Sequence, residues 1–312
     1  MSRVLIGCPL PAEGVSALRD RFEVEMVQGG TAIAWLMEHA AGAEAIVADP
    51  GIPVSAALLD AAGDTLKVVA NFGVGFDNLD LEALRARGVR ATNTPDVLTD
   101  ATAELAVALM LAAGRRLTES DAAVRREGRA GDVADDLWGR ELVGATVGLV
   151  GFGRIGRRVA DLLGGFDARI QYASRSEVGG ARARRCELNE LLATSDFISL
   201  HLPLTPATRH LIDAAALARV RPGAILVNTS RGAIVDTGAL VEALRSGHLA
   251  AAALDVYEDE PDVPAGLREL SNTVLTPHIG SATPATRAAM ARLCAENVIA
   301  VMDGHEPPSP VI

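Results

Sequence analysis

Several features that define whole classes of protein are scarce in this sequence. Its apolar runs fall well short of the roughly 20 consecutive residues that a membrane-spanning helix needs. The three cysteines, Cys8, Cys186 and Cys294, lie far apart and form no CxxC pair, which argues against a disulfide framework or a zinc site. No group of His, Cys and Asp residues has metal-ligand spacing, so no metal is expected. We expect a cytoplasmic protein with reduced thiols, because the N-terminus shows no signal-peptide cleavage pattern.

Basic residues are also few and almost all of them are arginine, since Lys67 is the single lysine. The formal net charge is −11 and the isoelectric point is near 5.1. A nucleic-acid surface needs clustered basic residues, so this acidic balance argues against nucleic acid as a partner. With 312 residues, the chain is long enough for two domains, each with its own core.

Short β-branched segments alternate with amphipathic ones along most of the chain. The first third contains the strand-like segments RVLIGCPL, FEVEMVQ, AEAIVADP, LKVVANF and VRATNTP. A second series contains GATVGLVG, ARIQYA, DFISLHL, GAILVNT, AAALDVY and NTVLTPH. Residues 101–127 predict one long helix between the two series; TRAAMARLCAENVIAVMDG predicts a last helix that stops at Gly304, and EPPSPVI predicts a tail. The alternation predicts parallel sheets with helices on both faces.

Gly151, Gly153 and Gly156 form a G-x-G-x-x-G turn between the strand-like TVGLV and the helical RRVADLL. In a dinucleotide site, the first glycine permits the tight turn, the second lets the backbone approach a pyrophosphate, and the third lets helix and strand pack closely. The helix N-terminus adds free N–H groups and a positive dipole end. The motif alone also fits an ordinary tight turn, but its place between strand and helix favours a dinucleotide site.

The segment IQYASRS lacks the acidic residue that an NAD site usually places roughly 20 residues after that turn. Its strand ends in Ala173, so no carboxylate is there for the adenosine ribose hydroxyls. Arg175, flanked by Ser174 and Ser176, stands where a 2′-phosphate would bind, and arginine is the usual partner of that phosphate. We therefore predict a preference for NADP(H). If Arg175 is only a solvated loop residue, NAD(H) is the alternative.

Three further segments place chemically useful residues at or beyond the ends of predicted strands. Arg231 follows AILVNT, Asp255 and Glu260 lie in LDVYEDEP, and His278 lies in TPHIGSAT. Arginine offers a planar fork to a carboxylate, and histidine exchanges a proton near neutrality. A neighbouring carboxylate favours the imidazolium form and orients the ring. Taken singly, these residues equally fit a strand-end salt bridge, a solvated acidic turn and a structural histidine; together, beside a dinucleotide turn, they favour an acid–base site.

These motifs resemble those of the D-isomer-specific 2-hydroxyacid dehydrogenases over nearly the whole chain. The segments that carry the resemblance are NFGVGFDNLD, TNTPDVLTDATAEL, VGLVGFGRIG, SLHLPLTPATRHLI, NTSRGAIVD, LDVYEDEP and TPHIGSAT. The resemblance implies an α/β fold of two doubly wound parallel-sheet domains. One is a flavodoxin-like substrate domain formed by residues 1–99 and 284–312, and the other a Rossmann-like dinucleotide-binding domain formed by residues 100–283. It also implies a homodimer built largely from the cofactor domains.

The same resemblance implies roles for individual residues. His278 resembles the family's acid/base, Glu260 its carboxylate partner, and Arg231 the group that binds and polarises the 2-oxo acid. The backbone N–H groups of Val74 and Gly75 correspond to a turn that binds the substrate carboxylate, which suits the anion-binding tendency of glycine turns. The full set of predicted cofactor contacts is Thr102, Gly151, Phe152, Gly153, Arg154, Ile155, Gly156, Ser174, Arg175, Ser176, His201, Pro203, Thr208, Thr229, Ser230, Arg231, Asp255, His278 and Gly280.

Within the family, the segments around Ala173 and His278 look most like those of glyoxylate/hydroxypyruvate reductases, including 2-ketogluconate reductases. The predicted activity is reduction of a small 2-oxo acid (glyoxylate, hydroxypyruvate or 2-ketogluconate) to the D-2-hydroxy acid with NADPH. One alternative is an NAD-dependent D-2-hydroxyacid or D-3-phosphoglycerate dehydrogenase, although the latter typically carries aspartate at the Ala173 position. Related formate or phosphite dehydrogenases are a second alternative. A cofactor-sensing binding protein is kept as a remote third alternative, since fold alone does not determine function.

Overall fold

The structure of the chain is a computed structural model, which describes residues 1–28, 31–128, 137–178 and 183–312. The chain divides into two compact units. Residues Met1–Leu98 and Ser281–Ile312 form one, called here the split unit, and residues Thr99–Gly280 form the other, called the central unit. That the split unit binds substrate and the central unit binds cofactor stays a prediction at this stage.

The split unit is a five-stranded parallel sheet in the order β2-β1-β3-β4-β5, flanked by helices. This order is that of flavodoxin-like folds. Every residue of β3 and β4 is buried, as expected for interior strands covered on both faces. The elements are β1 (Arg3–Ile6), α1 (Ala12–Arg19), β2 (Glu23–Met26), α2 (Ala32–His39), β3 (Ala45–Ala48), α3 (Ala56–Ala62), β4 (Val68–Asn71), α4 (Leu81–Ala86), β5 (Arg90–Thr92) and, at the other end of the chain, α12 (Pro284–Met302).

The last helix brings the C-terminal part of the chain back to the split unit, where α12 packs on α1 and β4. Thr283 caps its N-terminus by accepting a hydrogen bond from the N–H of Thr286, and Gly304 ends it with a positive φ, as predicted. The closing segment is not the free tail that the sequence suggested. Val311 donates its N–H to the Ala91 carbonyl at 2.7 Å. Ser309 is buried, and its hydroxyl accepts from Asn297 Nδ2 at 2.8 Å and donates to the Asn93 carbonyl at 2.7 Å.

The central unit is a seven-stranded parallel sheet in the order β12-β11-β10-β9-β6-β7-β8. Counted from its own first strand, the order contains the 3-2-1-4-5-6 arrangement of Rossmann folds. The elements are α5 (Thr99–Gly114), α6 (Leu117–Glu127), β6 (Thr146–Val150), α7 (Arg154–Leu163), β7 (Arg169–Ala173), β8 (Arg184–Arg185), α8 (Leu188–Thr194), β9 (Phe197–Leu200), α9 (Ala214–Leu217), β10 (Ala224–Asn228), α10 (Thr237–Arg245), β11 (Leu249–Leu254), α11 (Ala265–Arg268) and β12 (Thr273–Leu275), with short 3-10 turns at Gly164–Phe166 and Gly232–Ile234. The predicted fold class is thus confirmed, and the strand β8 is an addition to it.

Side chains of the central sheet feed two apolar cores, one on each face. Successive residues of β10 alternate between them, with Leu226 in the core that contains α8 and α10 and Val227 in the core that contains α5 and α7. The long helix predicted between the two series is broken. Arg116 takes a left-handed φ of 50°, and the carbonyl of Gly114 accepts a hydrogen bond from the N–H of Arg140 at 2.6 Å. The helix therefore ends where a distant segment binds its last turn.

Among the helices of the described ranges, none is long and apolar enough to cross a bilayer. Within the same ranges, no group of three or more His, Cys, Asp or Glu residues is placed to hold a metal ion.

Candidate active site

The predicted acid–base residues lie at one edge of the central sheet. The strands β10, β11 and β12 are adjacent and parallel, so their carboxyl ends face the same way. Arg231 follows β10, Asp255 follows β11 directly, and His278 follows β12. Open α/β sheets bind ligands at the carboxyl ends of their strands. The structure therefore brings together three residues that are well separated in the sequence.

His278 and Glu260 form a hydrogen-bonded pair. The distance from His278 Nδ1 to Glu260 Oε2 is 2.8 Å, and both side chains are partly exposed, at 40% and 35%. Burial raises the pKa of Glu260, but the bond from His278, the N–H of Tyr257 and the nearby charge of Arg231 together lower this pKa from its ordinary value. An ionised carboxylate only accepts, so Nδ1 carries a proton. The second ring nitrogen, Nε2, has no hydrogen-bond partner among the described residues and is the one that can exchange a proton.

The loop that carries His278 is held by the buried carboxylate of Asp255. One oxygen accepts from Thr276 Oγ1 at 2.6 Å and from the N–H of Ile279 at 2.8 Å, and the other accepts from the N–H of Gly280 at 2.8 Å. His278 itself takes a left-handed φ of 57°, which a non-glycine residue adopts only when its surroundings hold it there. Asp255 thus positions the imidazole, in addition to the cofactor contact predicted for it.

Two further hydrogen bonds hold the loop that carries His278. Thr102, on α5, is buried and donates its hydroxyl to the Gly280 carbonyl at 3.2 Å. The Tyr257 phenol donates to the Thr276 carbonyl at 2.9 Å, and burial together with the charges of Asp255 and Glu260 raises its pKa to about 12. This phenol therefore stays protonated and keeps its role as a donor. Nothing in the sequence pattern of LDVYEDEP marked Tyr257 as a structural support of the histidine loop.

Arg231 is positioned by backbone contacts on both sides. Asn228, the last residue of β10, donates Nδ2 to the Arg231 carbonyl at 2.9 Å and accepts the N–H of Ser230 at 3.0 Å. On the other side, Gly232 lies against the loop of Glu260, because a Cβ built on it would be 1.9 Å from the Tyr257 carbonyl carbon. Only glycine allows the two segments to approach this closely, so the cation and the carboxylate are held in register.

The glycine turn has the shape that a dinucleotide requires. Gly151 takes φ 93°, and a Cβ there would lie 2.3 Å from the carbonyl oxygen of His201. A Cβ on Gly153 would meet nothing within 4 Å, so this glycine faces open space, as expected for the position that a pyrophosphate passes. Phe152 stacks on Tyr172 with ring centroids 4.0 Å apart. The helix α7 begins at Arg154, directly after Gly153, so that Gly156 lies in its first turn.

Two buried polar atoms beside this turn lack partners within the described residues. They are Nε2 of His201 and Oγ1 of Thr229, at the carboxyl ends of the neighbouring strands β9 and β10. Burial lowers the pKa of His201 to about 4, so its ring is neutral. An unsatisfied buried polar atom costs about 1–3 kcal/mol, which a ligand with hydrogen-bonding groups recovers. The glycine turn and these atoms together fit a bound dinucleotide.

The loop after β7 carries the residues that are predicted to bind a 2′-phosphate. The Ala173 carbonyl accepts the N–H of Gly151 at 2.9 Å, so the end of β7 lies beside the glycine turn. Ser174 donates its hydroxyl to the Ser176 carbonyl, which closes a tight turn. Arg175 is exposed, and its side chain forms no hydrogen bond or ion pair within the described residues. Its guanidinium is therefore available for a phosphate.

Two other residues predicted to contact the cofactor, Pro203 and Thr208, form hydrogen bonds within their own loop. The Thr208 hydroxyl donates to the Pro203 carbonyl at 2.7 Å and accepts the N–H of Thr205 at 2.8 Å. Contacts of Pro203 and Thr208 with a cofactor stay predictions. Ser230 donates its hydroxyl to the Leu200 carbonyl, which ties the ends of β9 and β10 together.

The predicted carboxylate-binding turn lies in the split unit, directly after β4. The carbonyls of Val74 and Gly75 accept hydrogen bonds from Asn93 Nδ2 at 2.8 Å and Asn71 Nδ2 at 2.6 Å. Neither of the two N–H groups donates a hydrogen bond within the described residues. Both residues are half-buried, so the turn offers two donors of the kind that an anion binds.

The sequence of the central unit matches the model of a known protein family. The model described as the NAD-binding domain of D-isomer-specific 2-hydroxyacid dehydrogenases matches residues 107–280, more than half of the chain. The chain belongs to the D-isomer-specific 2-hydroxyacid dehydrogenase family. It is accordingly an NAD(P)-dependent oxidoreductase of 2-oxo acids, and the resemblance read from the sequence is confirmed.

Individual members of the family align over nearly the full length of the chain. A glyoxylate reductase from Thermococcus onnurineus is 45% identical over 323 residues, which cover 98% of this chain and 95% of that protein. A crystal structure of a Thermus thermophilus protein has a TM-score of 0.93 and 45% identity, covering 99% of this chain and 100% of that one. An NADPH-dependent glyoxylate/hydroxypyruvate reductase from Sinorhizobium meliloti, in complex with NADP and malonate, has a TM-score of 0.90 and 34% identity, covering 99% and 96%.

In this dehydrogenase, one contact pair was not predicted from the sequence. Glu258 accepts hydrogen bonds from His210 Nε2 at 2.6 Å and from the Thr237 hydroxyl at 3.1 Å. The pair joins the loop after β9 to the segment that carries Glu260, two residues further on. Because 48 residues separate His210 from Glu258, no local pattern could reveal it.

Proposed function

We propose that the protein is an NADPH-dependent reductase of a small 2-oxo acid of the glyoxylate, hydroxypyruvate or 2-ketogluconate kind, with a D-2-hydroxy acid as product. The observation that carries this proposal is the His278–Glu260 pair at the sheet edge that also carries Arg231. The Nε2 atom of His278 has no hydrogen-bond partner in the described part of the chain. The names of similar proteins support the substrate class, since glyoxylate reductases align with 98% of this chain.

The cofactor, when bound, supplies a hydride for the carbonyl carbon. Arg231 binds the substrate carboxylate and polarises the carbonyl oxygen with its planar, permanently charged fork. His278 donates the Nε2 proton to that oxygen as the new C–H bond forms, which completes the hydroxyl group. Glu260 holds the ring through Nδ1 and stabilises its protonated form. His278 then recovers a proton from solvent. We also assign the backbone N–H groups of Val74 and Gly75 to the substrate carboxylate.

Preference for NADPH rests on the loop after β7. Ala173 leaves the ribose without a carboxylate, and the guanidinium of Arg175, which has no partner within the described part of the chain, offers a phosphate two parallel hydrogen bonds. The related reductase from Sinorhizobium meliloti is NADPH-dependent by name, which agrees with this assignment. Binding of NADP(H) through Arg175, flanked by Ser174 and Ser176, is therefore part of the proposal.

A homodimer formed by the central units is also proposed. Four large apolar side chains between residues 117 and 143 are exposed, at 51–69% of their surface; they are Leu117, Val124, Trp138 and Val143. Exposed apolar side chains are suited to an interface, and a second copy of the chain is the occupant that the family resemblance implies. Scattering in solution or equilibrium sedimentation distinguishes dimer from monomer. The cytoplasmic location stays a prediction from the sequence.

A substrate screen with both reduced cofactors tests the activity. The purified protein is mixed with NADPH or NADH and with glyoxylate, hydroxypyruvate, 2-ketogluconate or pyruvate, and the loss of reduced-cofactor absorbance is followed. We expect faster turnover with NADPH and a small 2-oxo acid. Turnover with NADH alone would support the NAD-dependent alternative, and NADPH binding without turnover of any 2-oxo acid would support a cofactor-sensing protein.

A further inference from the structure

A second arginine, Arg185 of β8, lies against the loop that is predicted to determine cofactor choice. Arg185 donates Nε and Nη2 to the Ser174 carbonyl at 3.3 and 3.1 Å, and Nη2 also approaches the Arg175 carbonyl at 3.4 Å. No sequence pattern connects these residues, because the loop and Arg185 belong to different segments. The guanidinium nevertheless lies against the backbone of the residues assigned to the 2′-phosphate.

The strand β8 explains how Arg185 reaches this place. It consists of Arg184 and Arg185 alone and pairs with β7 in parallel, so that Arg185 lies opposite Tyr172. The N–H of Cys186 donates to the Tyr172 carbonyl at 2.9 Å and fixes this register. From there, the Arg185 side chain extends along the sheet to the carbonyls that follow the end of β7.

The two arginines of β8 have opposite environments. Arg184 forms an ion pair with Glu190 at 2.7 Å and donates to Gln171 at 2.8 Å, so its charge is compensated away from the loop. Arg185 is exposed and bonds only carbonyl oxygens among the described residues. Its charge is therefore not neutralised by a bonded carboxylate. Glu177, the acid nearest to the loop in sequence, forms no ion pair with either loop arginine within the described residues.

Neither the Arg175 guanidinium of the loop nor the Arg185 guanidinium of β8 bonds a carboxylate within the described residues, so an anion bound at the loop would be attracted by both. We propose that Arg185 is a second determinant of cofactor choice: its carbonyl contacts hold its positive charge beside Arg175, where both attract the 2′-phosphate of NADPH. This inference rests on the NADPH preference proposed above. It assigns to Arg185 a role that NADH, which has no 2′-phosphate, does not use.

The test is equilibrium binding, which does not depend on turnover. Dissociation constants are measured by calorimetry for NADPH, NADH and 2′,5′-ADP with the wild type and with Arg185→Ala, Arg185→Gln, Arg185→Lys and Arg184→Ala. We expect Arg185→Ala and Arg185→Gln to weaken NADPH and 2′,5′-ADP binding by about 10-fold, the low end for a lost charged partner because the site is exposed. Lysine retains the charge and keeps most of the affinity. NADH binding stays within about 2-fold throughout.

Arg184→Ala is the matched control, since it removes the neighbouring arginine without touching the loop carbonyls, and we expect it to bind NADPH like the wild type. The inference is overturned if Arg185→Gln binds NADPH as tightly as the wild type, or if Arg185→Ala weakens NADPH and NADH equally. A wild type that binds NADH as tightly as NADPH overturns the proposed cofactor preference itself. A selective wild type with an equally selective Arg185→Ala variant overturns only the role of Arg185.

Discussion

Gly232→Ala tests whether the close contact between two backbone segments sets the geometry of the catalytic groups. Gly232 follows Arg231 directly, and the segment that it touches begins at Tyr257 and leads to Glu260. Its φ lies outside the left-handed region that favours glycine, so alanine is compatible with the local backbone conformation. The cost of the substitution therefore comes from space alone.

The size of the required movement follows from three distances. The added Cβ would lie 1.9 Å from the Tyr257 carbonyl carbon, 2.1 Å from its oxygen and 2.3 Å from the Glu258 nitrogen. All three atoms are backbone, so no side chain can rotate out of the way. Ordinary contact begins near 3.4 Å, so the segments must separate by about 1.5 Å. A misplacement of about 1 Å in a catalytic group costs roughly 100-fold in rate.

We expect Gly232→Ala to lower kcat/KM for the 2-oxo acid by about 100-fold or more, while NADPH binding changes far less, because the glycine turn belongs to other segments. Steady-state kinetics, calorimetry with NADPH and the melting temperature are measured on the same preparation. Gly238→Ala is the matched control: its added Cβ would come no closer than 3.4 Å to any atom, in the helix α10. A folded Gly232→Ala variant with kcat/KM within about 3-fold of the wild type would refute the reasoning.

Three further outcomes are expected. His278→Asn removes the proton donor and should lower turnover by roughly 100-fold or more, while calorimetry still detects NADPH binding; normal turnover would exclude the assigned role. Arg175→Ala should weaken NADPH binding by roughly 10- to 150-fold and leave NADH binding nearly unchanged, and equal losses for both cofactors would contradict the 2′-phosphate assignment. Burial raises the pKa of Glu258, but hydrogen bonds from His210 and Thr237 outweigh this effect and lower the pKa from its ordinary value of 4.5. The ionised Glu258 therefore stabilises the fold above pH 4.5, and this contribution is lost as the pH falls through the lower pKa of the folded state. The melting temperatures of the wild type and of Glu258→Gln should therefore converge as the pH falls below about 4.5, and a gap that is constant with pH would argue against this linkage.

The location of the site could be predicted because it follows from topology. Parallel strands end at the same edge, so residues that follow consecutive strands, such as Arg231 and Asp255, meet without further information. The glycine turn was predictable for a similar reason, since its spacing reflects local sterics. Local patterns thus predicted the fold class, and they predicted which candidate residues follow neighbouring strands at one edge of the sheet.

What could not be predicted depends on contacts between distant segments. The helix break at Arg116 involves a bond between Gly114 and Arg140, which no helical periodicity records. The close approach of Gly232 to Tyr257 could not be predicted either, because glycine occurs in loops for many structural reasons. The strand β8 has two exposed arginines and no apolar pattern, so it lacks the signal by which strands are recognised.

The candidate acid–base residues and the residues assigned to cofactor choice lie at different places in the central sheet, and this difference bears on how readily each set can be changed. Arg231 and Asp255 follow interior strands of which all residues but one are buried, so that substitutions in these strands destabilise the unit. The residues assigned to cofactor choice lie beside β8, a short edge strand whose side chains are exposed. Substitutions there cost little stability. The loop beside β8 is therefore the place where the proposed cofactor preference can be redesigned at little cost in stability, apart from the residues that follow the interior strands.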